Sequence, residues 1–194
     1  GRRTTGTKTK KALVLYSFFI GYVFGHLPGG WLADKLGGRH VMGTSMLLST
    51  VFTILFPVSI EKGSWIGATI TRILMGLSQG PLFPAISSFI QNWIPSSERG
   101  FLGGLAFGGS NLGTLTGGLL SGIIIHRTNS WSNPFYIWAF TAIVWYAFAM
   151  LMIFSRPDTH PFITDEERDY LAANIGLSTL HLMQTSIEFP DVNK

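Results

Sequence analysis

Cysteine is absent from this 194-residue chain, so neither a disulfide framework nor a thiolate metal site can be built from it. Charge is the next scarcity. Only 12% of residues are charged, about half the ~25% usual in soluble domains. A chain so poor in charge cannot clothe a water-facing surface, which argues for membrane more strongly than its 46% hydrophobic content does. No phosphate loop, GxGxxG string or metal-ligand spacing of histidines occurs, and every carboxylate falls in a loop or tail. An enzyme is therefore not expected, nor a cofactor. The net charge of +4 does not signal nucleic acid, because five of the 14 basic residues lie in the first eleven positions and the rest are scattered. Such loops suit anionic lipid beside a bilayer. No signal-peptide pattern precedes the first apolar run, and the chain begins at Gly1, so a piece of a longer protein is expected.

What is present is a series of long charge-free runs. Ala12–Ala33 holds 22 uncharged residues, about 33 Å of helix and enough to span a bilayer. Further spans are expected over 41–60, 63–93, 101–125 and 134–155, after a basic tail at 1–11. Short loops join them, Asp34–His40 and Pro95–Gly100 among them. Gly21, Gly25 and Gly29 form a small-residue stripe suited to close helix contact, with His26 beside it and Pro28 to bend the helix. Two glycine ladders, Gly100/Gly104/Gly108 and Gly109/Gly113/Gly117, give the fourth span two closely approachable faces, as at the centre of a bundle. Beyond Arg156-Pro157 the composition changes. Thr164 to Glu167 fits a capping box, and a short amphipathic helix is expected over about 165–175, then a frayed tail.

The third span carries the one charge inside a run, Arg72. An arginine in hydrocarbon costs at least ~2.5 kcal/mol, so it is kept for a partner or a task. A rigid fork of donors in low dielectric suits a carboxylate or phosphate. Gln79 follows seven residues later on the same helix face, with Gly76 and Gly80 beside it. Pro81 and Pro84 should kink the span or free carbonyls toward a polar path. Asn111 is the one amide side chain of the fourth span. His26 is either a proton-coupling group or a hydrogen bonder between packed helices.

The loops then carry a resemblance. Gly30-x-x-x-Asp34-Lys35-x-Gly37-Gly38-Arg39 resembles the signature loop between helices two and three of the major facilitator superfamily. Arg72-x-x-x-Gly76-x-x-x-Gly80 resembles its fourth-helix motif. SFFIGY (17–22), LPGGWLAD (27–34), GPLFPA (80–85), the spaced set Trp93, Pro95, Glu98, Arg99, and HPFITDEERDYL (160–171) are similar to the anion–cation symporter branch. That branch includes vesicular glutamate transporters, sialin and phosphate cotransporter-like proteins.

The resemblance covers roughly residues 12–175. It implies an all-α membrane protein whose five transmembrane helices correspond to helices two to six of a twelve-helix fold. The implied function is secondary active symport of small organic anions or inorganic phosphate, performed with a missing transporter half. The alternative is a truncated, non-transporting membrane protein or a structural partner of a full carrier. By resemblance, Arg72 falls on a fourth-helix arginine used in substrate binding or coupling. From their own chemistry, Gln79 and Asn111 are the further substrate-lining candidates and His26 the coupling candidate. Asp34, Arg39, Glu98 and Arg99, in two loops on one side, would form a cytoplasmic gate of ion pairs that close in one state and part in another, a reading the resemblance supports. Gln79 stands where glutamate and sialic acid carriers have a glutamate linked to proton coupling, and Leu15 stands where glutamate carriers have a histidine. Both departures weigh against proton-driven vesicular glutamate transport. The resemblance also implies that both short loops and the segment 156–194 lie in the cytoplasm, and a plasma, lysosomal or vesicular membrane as the location. Lys35, Arg39 and Arg99 agree with that orientation and the basic N-terminal tail opposes it.

Overall fold

The computed structural model describes residues 2–95 and 97–154, with isolated positions 164, 166 and 173 beyond them. The expected surface helix over 165–175 therefore lies, but for single positions, outside the described residues. Every element among those residues is a helix: α1 (Arg2–Leu36), α2 (Gly38–Gln79), α3 (Leu82–Trp93), α4 (Arg99–Thr128) and α5 (Asn133–Met152). The physical reason is the solvent. In hydrocarbon a backbone N–H or C=O must bond within its own segment, and uninterrupted apolar runs without water contacts can do so only as helices.

The large side chains are turned outward. Phe24, Trp31, Leu119 and Phe148, for example, are each about three-fifths exposed. Much of the buried set is small or polar, including Ala33, Ala68, Ala85, Ser17, Ser49 and Thr71, with a few larger residues such as Phe56 and Met75. A water-soluble chain could not carry that much exposed apolar surface. Among the described residues four segments are long and apolar enough to cross a membrane: Thr9–Leu36, Gly38–Gly63, Trp65–Trp93 and Asn133–Met152. The 30-residue α4 is the remaining long helix. Its nine glycines, with Ser110 and Asn111, dilute the hydropathy of a run that is otherwise leucine- and isoleucine-rich.

Three features refine the sequence reading. First, α1 is helical from Arg2, although residues 1–11 read as a polar tail. Lysine and arginine are good helix formers, and extending an existing helix adds one bond per residue fixed. Second, α2 is one run of helical bonding over 42 residues, yet it is not straight. Thr71 Oγ1 donates to Ser59 Oγ at 3.1 Å, while twelve residues of straight helix would hold them about 18 Å apart. The run turns back near residues 60–66 into two antiparallel legs, which are the expected second and third spans. Third, the third span breaks at Gly80-Pro81, where the second leg of α2 ends and α3 resumes.

The glycine stripe of α1 meets the glycines of that second leg. A Cβ at Gly76 would strike the Phe18 carbonyl and come within 2.7 Å of Tyr22 N. One at Gly80 would lie 2.6 Å from His26 N, and one at Gly29 the same distance from Pro81 Cα. Gly21 and Gly25 likewise press on the backbone of Ile73 and Leu77. Backbone-on-backbone contact of this kind replaces the hydrophobic effect, which is absent between helices in lipid. The ladders of α4 behave otherwise: a Cβ at Gly104, Gly108, Gly109, Gly113 or Gly117 would meet nothing within 4 Å. The expectation that these ladders are packed is not met within this chain. The contacts of α4 are with α5 and, more lightly, α3. One polar tie joins it to α5, Trp138 Nε1 donating to Ser121 Oγ at 2.8 Å.

Candidate functional site

The antiparallel legs of α2 place Arg72 opposite Phe56. The guanidinium carbon lies 4.1 Å from the Phe56 ring centroid, within the range where a cation is drawn to an aromatic face. Phe56 is itself buried and packs on Phe135 of α5 with ring centroids 5.2 Å apart. Val14 and Phe18 of α1 close the same cluster. Three helices thus build an aromatic bed under one charge.

Among the described residues that charge has no anionic partner. Arg72 Nε is buried without a hydrogen bond, and no carboxylate lies within ion-pair distance. Five N–H donors in a fixed fork are therefore uncommitted. Gln79 is half-buried at the end of α2 and makes no side-chain hydrogen bond. Seven residues place it about 10 Å further along the axis on nearly the same face. Guanidinium and carboxamide together can hold the oxygens of a small anion. The carboxamide cannot exchange a proton.

His26 has a defined task. Gly80 would normally bond its carbonyl to the N–H of residue 84, but residue 84 is proline and has none. His26 Nδ1 reaches across from α1 and donates to that carbonyl at 3.1 Å. A carbonyl only accepts, so Nδ1 carries the proton and Nε2 is left as the free nitrogen. The carbonyl that Pro84 frees is thus turned toward α1 and not toward a polar path. Of the two readings of His26, the geometry favours the packing one. Leu77, whose carbonyl Pro81 deprives of its N–H in the same way, lies against Gly25. The sequence carries half of the signal, a proline four residues after Gly80 that leaves its carbonyl without a helical donor.

Asp34 and Arg39 line one cleft where α1 meets α2, Glu98 and Arg99 are not in its lining, and among the described residues the four gate residues form no ion pair. Asp34 and Glu98 are exposed. Arg39 Nη2 donates to the Met150 carbonyl of α5, and its guanidinium lies 4.8 Å from the Phe154 ring. Arg99 Nη2 donates to the Ile94 and Gln91 carbonyls at 3.2 and 3.4 Å. Both arginines are held by backbone oxygens, partners that no local sequence pattern singles out. Asn111 is exposed on α4 without a side-chain hydrogen bond, and the structure does not bring it to Arg72.

Comparison with known proteins fits this arrangement. The family model described as Major Facilitator Superfamily matches residues 3–187. Human vesicular glutamate transporter 2 is 37% identical over 162 residues, covering 84% of this chain and 28% of the relative. Sheep sialin is 32% identical over 163 residues, covering 84% and 32%. A Drosophila ananassae protein, described provisionally as an inorganic phosphate cotransporter, is 33% identical over 160 residues, covering 81% and 33%. The chain spans about a third of the length of these curated relatives. With its outward apolar side chains and membrane-length helices, this multi-pass membrane protein belongs to the Major Facilitator Superfamily.

Proposed function

We propose that the gene product containing this chain is a secondary active carrier of small anions, organic or inorganic phosphate, with Arg72 as the anion contact. The observation that carries this reading is the half-buried, unpaired guanidinium seated on Phe56 inside a membrane span. A charge left there without a carboxylate is balanced when an anion arrives, and the fork geometry favours a carboxylate or phosphate. The names of the relatives, a glutamate transporter and a provisional phosphate cotransporter, support that substrate class. Transport would proceed by rocking of this half against a second one around Arg72 and Gln79. The coupling ion, H+ or Na+, would act elsewhere than Gln79, since an amide does not titrate.

Uptake of radiolabelled phosphate and of organic anions into vesicles tests this, using the complete gene product. Arg72→Ala is expected to abolish uptake. Arg72→Lys, which keeps the charge but loses the bidentate fork, is expected to restore only a fraction. Unchanged uptake by the alanine variant would remove the anion-site role. Uptake by the 194-residue chain alone would remove the need for a second half.

A further inference from the structure

At the end of α1 opposite its N-terminus, a cleft of ≈ 610 Å³ opens at the helix termini. Lys35, Arg39 and His40 form one wall, Gln91 and Asn92 of α3 the other, and Asp34 is the carboxylate in the lining. The volume lies within the range of small-ligand pockets. This is not the Arg72 site. Arg39 lies 17 residues along the first leg of α2 from Phe56, about 25 Å of helix.

The donors of this cleft are largely unengaged. Among the described residues the Gln91 and Asn92 side chains make no hydrogen bond, and Lys35 makes no ion pair. The Lys35 ammonium lies 4.2 Å from the Trp31 ring centroid. His40 commits Nδ1 to the Leu36 carbonyl at 3.1 Å, which leaves Nε2 free. With Arg39 and Lys35 positive and Asp34 negative, the lining carries a net positive charge even with His40 neutral. Trp31 and Leu36 beside it are more than half exposed. An exposed tryptophan next to a lysine at a helix end marks the level of the lipid headgroups.

We propose that this cleft binds a phosphate group at the membrane–water boundary, presented by the headgroup of an anionic phospholipid. Basic clefts between membrane helices recognise such headgroups through charge and multiple donors. The acyl chains would lie along the exposed Trp31 and Leu36, while Lys35 and the two α3 amides hold the phosphate oxygens. Free phosphate offers the same chemistry without the apolar tail.

The test uses the complete gene product in phosphatidylcholine nanodiscs doped with phosphatidic acid, with retained lipid read by native mass spectrometry. Wild type is expected to retain phosphatidic acid over phosphatidylcholine. Lys35→Gln is expected to weaken retention by roughly fivefold, the effect of one basic residue near an anionic surface. Lys62→Gln, on the opposite membrane face, should leave it unchanged. A second variant, Gln91→Leu with Asn92→Leu, probes the other wall without altering charge and should also weaken retention. A parallel arm adds millimolar inorganic phosphate to pure phosphatidylcholine discs. Stabilisation there, with no lipid retained in the first arm, would overturn the lipid source in favour of free phosphate. Equal lipid retention by wild type and both cleft variants would overturn the site itself.

Discussion

Replacing His26 by alanine removes the only side-chain donor to the Gly80 carbonyl among the described residues, at 3.1 Å. Interhelical hydrogen bonds in membrane proteins contribute on average ~0.6 and at most ~1.7 kcal/mol. Gly80 is buried against α1, and a buried acceptor left unsatisfied costs about 1–3 kcal/mol. We therefore expect His26→Ala to destabilise the fold by ~1 kcal/mol, roughly a fivefold shift in the unfolding equilibrium. The informative experiment is the cycle with Pro84→Ala. That substitution returns an N–H at residue 84, which can bond the Gly80 carbonyl within the helix and make His26 dispensable. In the Pro84→Ala background, His26→Ala should cost almost nothing, a coupling of ~1 kcal/mol. Pro81→Ala is the control, because it restores a donor to Leu77 and not to Gly80, so the full cost should persist. The assay is equilibrium unfolding of the complete gene product in mixed micelles, followed by circular dichroism. An equal penalty in the wild-type and Pro84→Ala backgrounds would refute the pairing.

Other expectations follow from the same geometry. Gly76→Ala should destabilise by ~1–3 kcal/mol, because its Cβ would meet the α1 backbone, whereas Gly113→Ala in this chain should be neutral or gain ~0.5–1 kcal/mol; micelle unfolding of the two variants compares them. Phe56→Leu keeps an apolar core residue but removes the ring under Arg72, a contact of ~0.5–2 kcal/mol. Uptake kinetics should show KM raised by about two- to thirtyfold. Arg39→Ala loses the Met150 carbonyl and the Phe154 ring together, at ~1.5–3 kcal/mol for a charged donor. Crosslinking between cysteines placed in α2 and α5 at that face should then fall, with partial recovery in Arg39→Lys.

Sequence alone determined the class of this protein, because the requirement it meets is local. Each charge-free run must satisfy its own backbone in hydrocarbon, and that requirement is written in every window of twenty residues. The boundaries near Leu36, Trp93 and Met152 followed from Gly37, Pro95 and the chemistry around Arg156. Arg72 stood out for the same reason, as a charge where none is cheap. The partners of these residues were not local. That Arg72 lies on Phe56 depends on where α2 turns back and on the register of its two legs. A shift of two residues would carry the guanidinium to another face. The glycines of α1 and α4 are indistinguishable as ladders, yet only those of α1 are matched by Gly76 and Gly80 across a crossing. His26 shows the boundary between the two kinds of knowledge. Its sequence announces that Pro84 leaves a carbonyl without a donor, because that loss is covalent. Only the packing of α1 on α2 decided which side chain supplies the donor, because a hydrogen bond needs two groups within about 3 Å and sequence fixes neither position.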